Sequence, residues 1–96
     1  MQKGGAVYIL SSPNKTSLYI GVTSDLQGRV WEHKDKKYPE SYTARYNCVT
    51  LVYYQYFESI EDAIAEEKRL KGGNRKQKEE LILQINPSWS DLYDLL

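Results

Sequence analysis

Apolar positions along this chain recur in two ways: in short runs and alternations, and in stripes of helical spacing. Residues 5–10 (GAVYIL) form a short apolar run with β-branched and aromatic members, which predicts a strand. Turn-forming residues follow from Ser11 to Ser17, and residues 18–22 (LYIGV) predict a second strand. Two strands so joined form an antiparallel hairpin. A turn centred on Pro13 and Asn14 places Tyr8 opposite Tyr19, with both rings on one face. Thr23, Ser24 and Asp25 supply N-cap candidates for a helix to about Lys37. Leu26 and Val30 mark its buried stripe, and Arg29 and His33 lie beside that stripe, one turn apart. Residues 38–47 contain Pro39 and predict a loop or a short helix. Residues 49–57 (VTLVYYQYF) are the clearest strand, in which Tyr53, Tyr54 and Tyr56 suit sheet packing. Ser59, three residues before Asp62, opens a helix that stops at Gly72 and Gly73. A third helix is expected over residues 74–85, with Leu81, Ile82 and Ile85 inward, ended by Asn86 and Pro87. Ser88 begins a short final turn carrying Trp89, Leu92, Tyr93 and Leu96. The order β-β-α-β-α-α predicts an α+β fold, a three-stranded, mainly antiparallel sheet flanked by helices.

One residue breaks the helical pattern. With ~100° per residue and Ile60 at the origin, Ala63, Ile64, Leu70 and Lys71 fall on one side of the helix, and Glu67 lands about 20° from its centre. Glu66 falls outside the stripe. A carboxylate on a buried face is costly unless paired with a cation. Two partners suit it: a salt bridge to Arg29 or Arg69, or a divalent metal. Oxygen ligands suit Mg²⁺ or Mn²⁺, and Mg²⁺ commonly takes only one or two carboxylates beside phosphate and water.

Ninety-six residues predict one domain over residues 1–96, with a small core. Formal net charge is zero, so any nucleic-acid site is a local patch. One Cys and one His exclude an internal disulfide and a structural zinc site built from those residue types. No apolar run approaches the ~20 residues of a membrane span, and the first residues do not form a signal peptide, so a soluble, cytoplasmic protein is expected. Nine of the twelve aromatics are tyrosine, which brings bulk together with a titratable hydroxyl. Charge falls in blocks. Residues 58–67 hold five acidic side chains and no basic one, whereas residues 68–78 hold six basic (Lys68, Arg69, Lys71, Arg75, Lys76 and Lys78) and no acidic one. That basic block straddles the two glycines. It is either a solvated face or a contact for a phosphate backbone.

These residues together resemble the GIY-YIG endonuclease family, in particular its small stand-alone bacterial members and the catalytic module of the bacterial excision-repair incision subunit. The first signature stands as Ala6-Val7-Tyr8 and the second as Tyr19-Ile20-Gly21. Gly21 to Leu26, Arg29, His33-Lys34, Tyr42-Thr43-Ala44-Arg45-Tyr46 and Leu51-Val52-Tyr53-Tyr54 follow in order. Next come Glu67 to Gly72, then Asn86-Pro87-Ser88-Trp89 and Asp91-Leu92-Tyr93. The resemblance implies a Mg²⁺-dependent (or Mn²⁺-dependent) DNA endonuclease, structure- or damage-directed, working in repair or recombination. It implies catalytic roles for Tyr8, Tyr19, Arg29, His33 and Glu67, with Glu67 as the metal ligand and either tyrosine as general base. Lys34, Arg45, Lys68, Lys71, Arg75 and Lys76 are the candidate DNA contacts, on a monomer or weak dimer. The chain departs from the family pattern at Ala6, where the signature has glycine, at Gln55, where an acidic residue is frequent, and at Gly73, where an aromatic is common. Asn74 and Asn86 are the candidates for the asparagine that often completes the family site.

Two other readings come from different classes. One is a nucleic-acid-binding module with little or no catalysis, resting on the basic block. The other is a protein-interaction domain that uses the aromatic C-terminal stretch, which in the endonuclease reading seals the core instead.

Overall fold

Strand β1 (Gly5–Ser11) is buried along its whole length, because it is the middle strand of three and helices or loops cover both its faces. The computed structural model describes residues 4–96. Strand β2 (Leu18–Thr23) pairs antiparallel with one edge of β1, and β3 (Thr50–Phe57) pairs antiparallel with the other. Helices α1 (Leu26–Lys34), α2 (Tyr42–Arg45), α3 (Ile60–Lys71) and α4 (Arg75–Ile85) and a 3-10 turn at Leu92–Leu95 complete the α+β architecture. No helix among the described residues is long and apolar enough to cross a membrane.

Successive side chains of a strand point to opposite faces, and β1 feeds two cores in this way. Val7 and Ile9 join Ile20, Val52, Tyr53, Ala63, Leu70 and Ile82 on the side of α3 and α4. Ala6, Tyr8 and Leu10 join Leu26, Val30, Cys48 and Leu51 on the side of α1, where Leu92, Tyr93 and Leu96 close over them. Asp25 caps α1 through Gly28 N, Ser59 caps α3 through Asp62 N, and Asn74 and Gln77 form a reciprocal capping box on α4. Gly73 permits that box, since a Cβ there would lie 2.2 Å from Gln77 Oε1.

Four expectations are corrected. The hairpin pairs Tyr8 with Gly21 and Leu10 with Tyr19, so Tyr8 does not face Tyr19 directly. The turn centres one residue later than Pro13-Asn14, because Lys15 takes a left-handed backbone (φ 63°) and Asn14 Oδ1 accepts from Ser12 Oγ and from Thr16 N and Oγ1. The register moves by two residues, which preserves facing. The two tyrosines therefore stay on one side of the sheet as diagonal neighbours. Helix α1 stops at Lys34 rather than near Lys37, because Lys36 is left-handed (φ 54°) and Lys36 N and Lys37 N turn back onto the carbonyls of His33 and Glu32. Ile85 points outward at 54% exposure, because α4 buries Ile82 and turns its C-terminal end to solvent. Ile64 is likewise partly exposed, so the buried face of α3 is narrower than the wheel predicts.

Side chains hold the C-terminal segment to the sheet. Asn86 Nδ2 donates to Val52 O (3.1 Å) and Ser90 O (2.8 Å), while its Oδ1 accepts from Ser90 N and Oγ. Asp91 accepts from Leu51 N and Tyr93 N and pairs with Lys34. Replacing Asn86 with alanine strips a buried carbonyl of its donor, a loss of about 1–3 kcal/mol. Urea denaturation of Asn86→Ala should show that loss at an unchanged slope.

Candidate active site

Gly21 explains how a tyrosine fits between a sheet and a helix here. A Cβ on Gly21 would lie 2.4 Å from the ring and hydroxyl of Tyr8. Only glycine leaves room for the Tyr8 ring to cross β2 and reach α1. There the Tyr8 hydroxyl stands 3.0 Å from His33 Nε2, and His33 Nδ1 stands 2.8 Å from Thr43 Oγ1 on α2. Thr43 Oγ1 is in turn 3.2 Å from Ser41 Oγ, the N-cap of α2. Tyr19 closes the group from β2, its ring centre 6.3 Å from Tyr8 and 5.4 Å from His33.

Burial and charge set the state of these groups. Burial is the main cause that raises the Tyr8 phenol well above its ordinary 10; Tyr19 and Glu67 add to the rise, and Arg29 opposes it. Burial is also the main cause that lowers His33 from 6.5 to about 4, helped by Arg29 and opposed by Glu32. At neutral pH the pair is therefore an uncharged phenol against an uncharged imidazole.

The wall beyond them is aromatic and partly open. A cleft of about 390 Å³ is lined by Tyr19, Arg29, His33, Tyr38, Ser41, Tyr42 and Thr43. Arg29 pairs with Glu32 at 3.0 Å and lies 5.7 Å from the Tyr38 ring centre. Tyr42 stacks on Tyr19 at 6.2 Å and touches Tyr46 at 4.6 Å. A second cleft, about 430 Å³, shares Tyr19 and Tyr42 and adds Leu18, Ile20, Lys71 and Lys78.

Tyr19, Arg29 and His33 thus line one cleft, and Tyr8 stands buried behind it against His33. Glu67 is not among the residues lining it. Its carboxylate is largely buried, as its place on the apolar stripe requires, and its charge is felt at Tyr8. Its partner is neither Arg29 nor Arg69. Lys71, one turn on, holds it at 2.9 Å, while Arg69 turns to Glu66. The second cleft includes Lys71, so this ion pair borders the other side of the Tyr19–Tyr42 stack.

The expected DNA contacts divide. Arg45, Lys68 and Lys76 are exposed, as is Lys71, which however holds Glu67. Lys34 is engaged with Val49 O and Asp91, and Arg75 with the carbonyls of Lys15 and Thr16 and with Glu79. Asn86 and Asn74 serve as clasp and cap. Thr43, Ser41 and Tyr42 carried no separate signal in the sequence, because their roles depend on where a four-residue helix docks.

A family model described as the GIY-YIG catalytic domain matches residues 4–80. The chain belongs to that family. Among its relatives, a UPF0213 protein of Syntrophus aciditrophicus is 37% identical over 81 residues, which cover 84% of this chain and 91% of the relative. A UPF0213 protein of Bacillus velezensis is 36% identical over 80 residues, covering 83% and 80%. The solution NMR structure of a UPF0213 protein from Bacillus halodurans superposes with a TM-score of 0.57 at 30% identity and 95% coverage of both chains.

The His33 environment is directly measurable. An NMR titration should place the imidazole midpoint near 4 rather than 6.5. Arg29→Gln should raise it only part of the way, since burial is the larger cause.

Proposed function

We propose that this protein is a divalent-metal-dependent DNA endonuclease that hydrolyses phosphodiester bonds, structure- or damage-directed, in repair or recombination. One observation carries the reading: in a chain of the GIY-YIG catalytic domain family, Tyr19, Arg29 and His33 line one cleft, and Tyr8, buried behind it, is in hydrogen-bond contact with His33 at 3.0 Å.

Phosphodiester hydrolysis needs an activated water, neutralised phosphate charge and a stabilised leaving oxygen. Arg29, at the cleft wall, forks onto the non-bridging oxygens, for which a guanidinium is well shaped. Tyr8 is the proton acceptor for the attacking water, which DNA binding admits to a phenol closed to solvent in the free protein. As it takes that proton, its own phenol proton passes to His33. The imidazolium that forms is disfavoured in the free protein by burial and by Arg29. A bound phosphate offsets the Arg29 charge and so eases the transfer. Tyr19, which also lines the cleft, orients water or phosphate. Arg45, Lys68, Lys71 and Lys76 supply backbone contacts.

The metal fits the residues present in one particular way. Among the described residues no cluster of three His, Cys, Asp or Glu side chains is placed to hold an ion. Glu67 offers a single, largely buried carboxylate already neutralised by a cation, the Lys71 ammonium. That donor set suits Mg²⁺ or Mn²⁺ held by one carboxylate, with phosphate and water as the remaining ligands. When bound, the ion supplies charge neutralisation at the phosphate and the leaving oxygen.

A panel of branched, flapped, nicked and plain DNAs with Mg²⁺ or Mn²⁺ tests the reading. Glu67→Gln should abolish nicking while DNA binding largely survives. Equal nicking by both proteins would mean a contaminant, and binding without turnover in wild type would favour the non-catalytic nucleic-acid-binding module. The acid limb gives a separate check, because kcat/KM reports groups of the free enzyme. With His33 near 4, nicking should show no histidine-type loss between about pH 7 and about pH 5.5.

A further inference from the structure

Thr43 stands behind His33, buried at 2% exposure, with its hydroxyl 2.8 Å from Nδ1. The hydrogens of the chain Tyr8–His33–Thr43–Ser41 can be counted. A neutral imidazole carries one N–H and one lone pair, so the chain runs in a single direction. In one direction Ser41 donates to Thr43, Thr43 to Nδ1, and Nε2–H to the Tyr8 oxygen. The phenol hydrogen then needs another acceptor. Tyr8 is 1% exposed, and among the described residues its oxygen meets Nε2 and the Arg29 guanidinium, which only donates. That direction strands a buried donor, a costly arrangement. In the other direction Tyr8 donates to Nε2, Nδ1–H to Thr43 Oγ1, and Thr43 to Ser41 Oγ. Ser41 Oγ also accepts from Ala44 N. Every buried hydrogen in the chain then has an acceptor.

We propose that Thr43 is a positioning residue: it accepts from His33 Nδ1–H, selects that tautomer, and so presents the Nε2 lone pair to the Tyr8 phenol proton. Its catalytic consequence rests on the nuclease reading above; the tautomer does not. The charged and titratable groups facing His33 are Tyr8 and Tyr19 from the sheet and Arg29 and Glu32 from its own helix. In the free protein the phenol and imidazole both stay uncharged at neutral pH, which agrees with this polarity. The proton bookkeeping closes: water loses one proton to Tyr8, Tyr8 loses one to Nε2, and His33 keeps its Nδ1 proton on Thr43. The isolated imidazole prefers neither ring nitrogen strongly enough to resist a well-placed acceptor, so a single hydroxyl behind the ring decides which lone pair faces forward.

Long-range nitrogen–proton NMR of the ring, on the DNA-free and metal-free protein near neutral pH, reads the tautomer directly. Wild type should carry its ring proton on Nδ1. Thr43→Val, which keeps the shape and removes the acceptor, should move the proton to Nε2 in part or whole. Thr43→Ser should restore the wild-type pattern. In single-turnover nicking, Thr43→Val should lose roughly 10- to 100-fold with DNA affinity unchanged, part of the ~10²–10⁴-fold that a positioned proton-transfer group supplies, and Thr43→Ser should recover most of it. A wild-type proton on Nε2 overturns the proposal, whether or not Thr43→Val folds, and so does a Thr43→Val spectrum identical to wild type. A wild type with the proton on Nδ1 that nicks no DNA overturns the nuclease reading and leaves the role of Thr43 in the tautomer standing.

Discussion

The fold depends on a strand that has no solvent face. All seven residues of β1 are buried, because the sheet flanks it on both sides and separate cores cover it above and below. A strand so placed normally carries only apolar side chains. This one carries Tyr8, whose hydroxyl cannot stay in that setting without a partner. The need for a partner accounts for much of the arrangement. Gly21 lets the ring cross β2, α1 brings His33 to the hydroxyl, and α2 brings Thr43 to the far side of His33. What satisfies a buried phenol is also what lines the cleft.

The same logic separates cations with structural employment from those facing solvent. Lys34 and Arg75 tie segments together, the first joining α1 to the C-terminal stretch and the second joining α4 to the hairpin turn. A charge run in the sequence does not distinguish these from Lys68 or Lys76. The distinction depends on carbonyls far away in the chain, at Lys15, Thr16 and Val49.

Strand and helix order and Glu67 on an apolar stripe were legible, since each follows from a period, whereas the division into two cores was not. The facing of Tyr8 and Tyr19 survived an error in their pairing, because a two-residue slip leaves side-chain parity intact. The turn that sets the register was not legible; it depends on Asn14 drawing three donors and on the left-handed Lys15. The partner of Glu67 was missed in favour of arginines, although Lys71 lay at the commonest helical pairing distance. Thr43 stood in the family-like run Tyr42 to Tyr46, but its role was not legible, for it exists only once α2 is docked.

The attachment of the last residues has a dynamic corollary. Asp91 holds Lys34, and Lys34 follows His33 directly on the final turn of α1. Local openings of a small domain span a wide range of cost. Release of Asp91 would not stay local, since it removes one of two tethers, the other being Val49 O, on the helix terminus from which the imidazole projects. Residues 81–96 fall beyond the stretch matched by the family model, yet through Asn86 and Asp91 they hold both the sheet and the helix that carries the histidine.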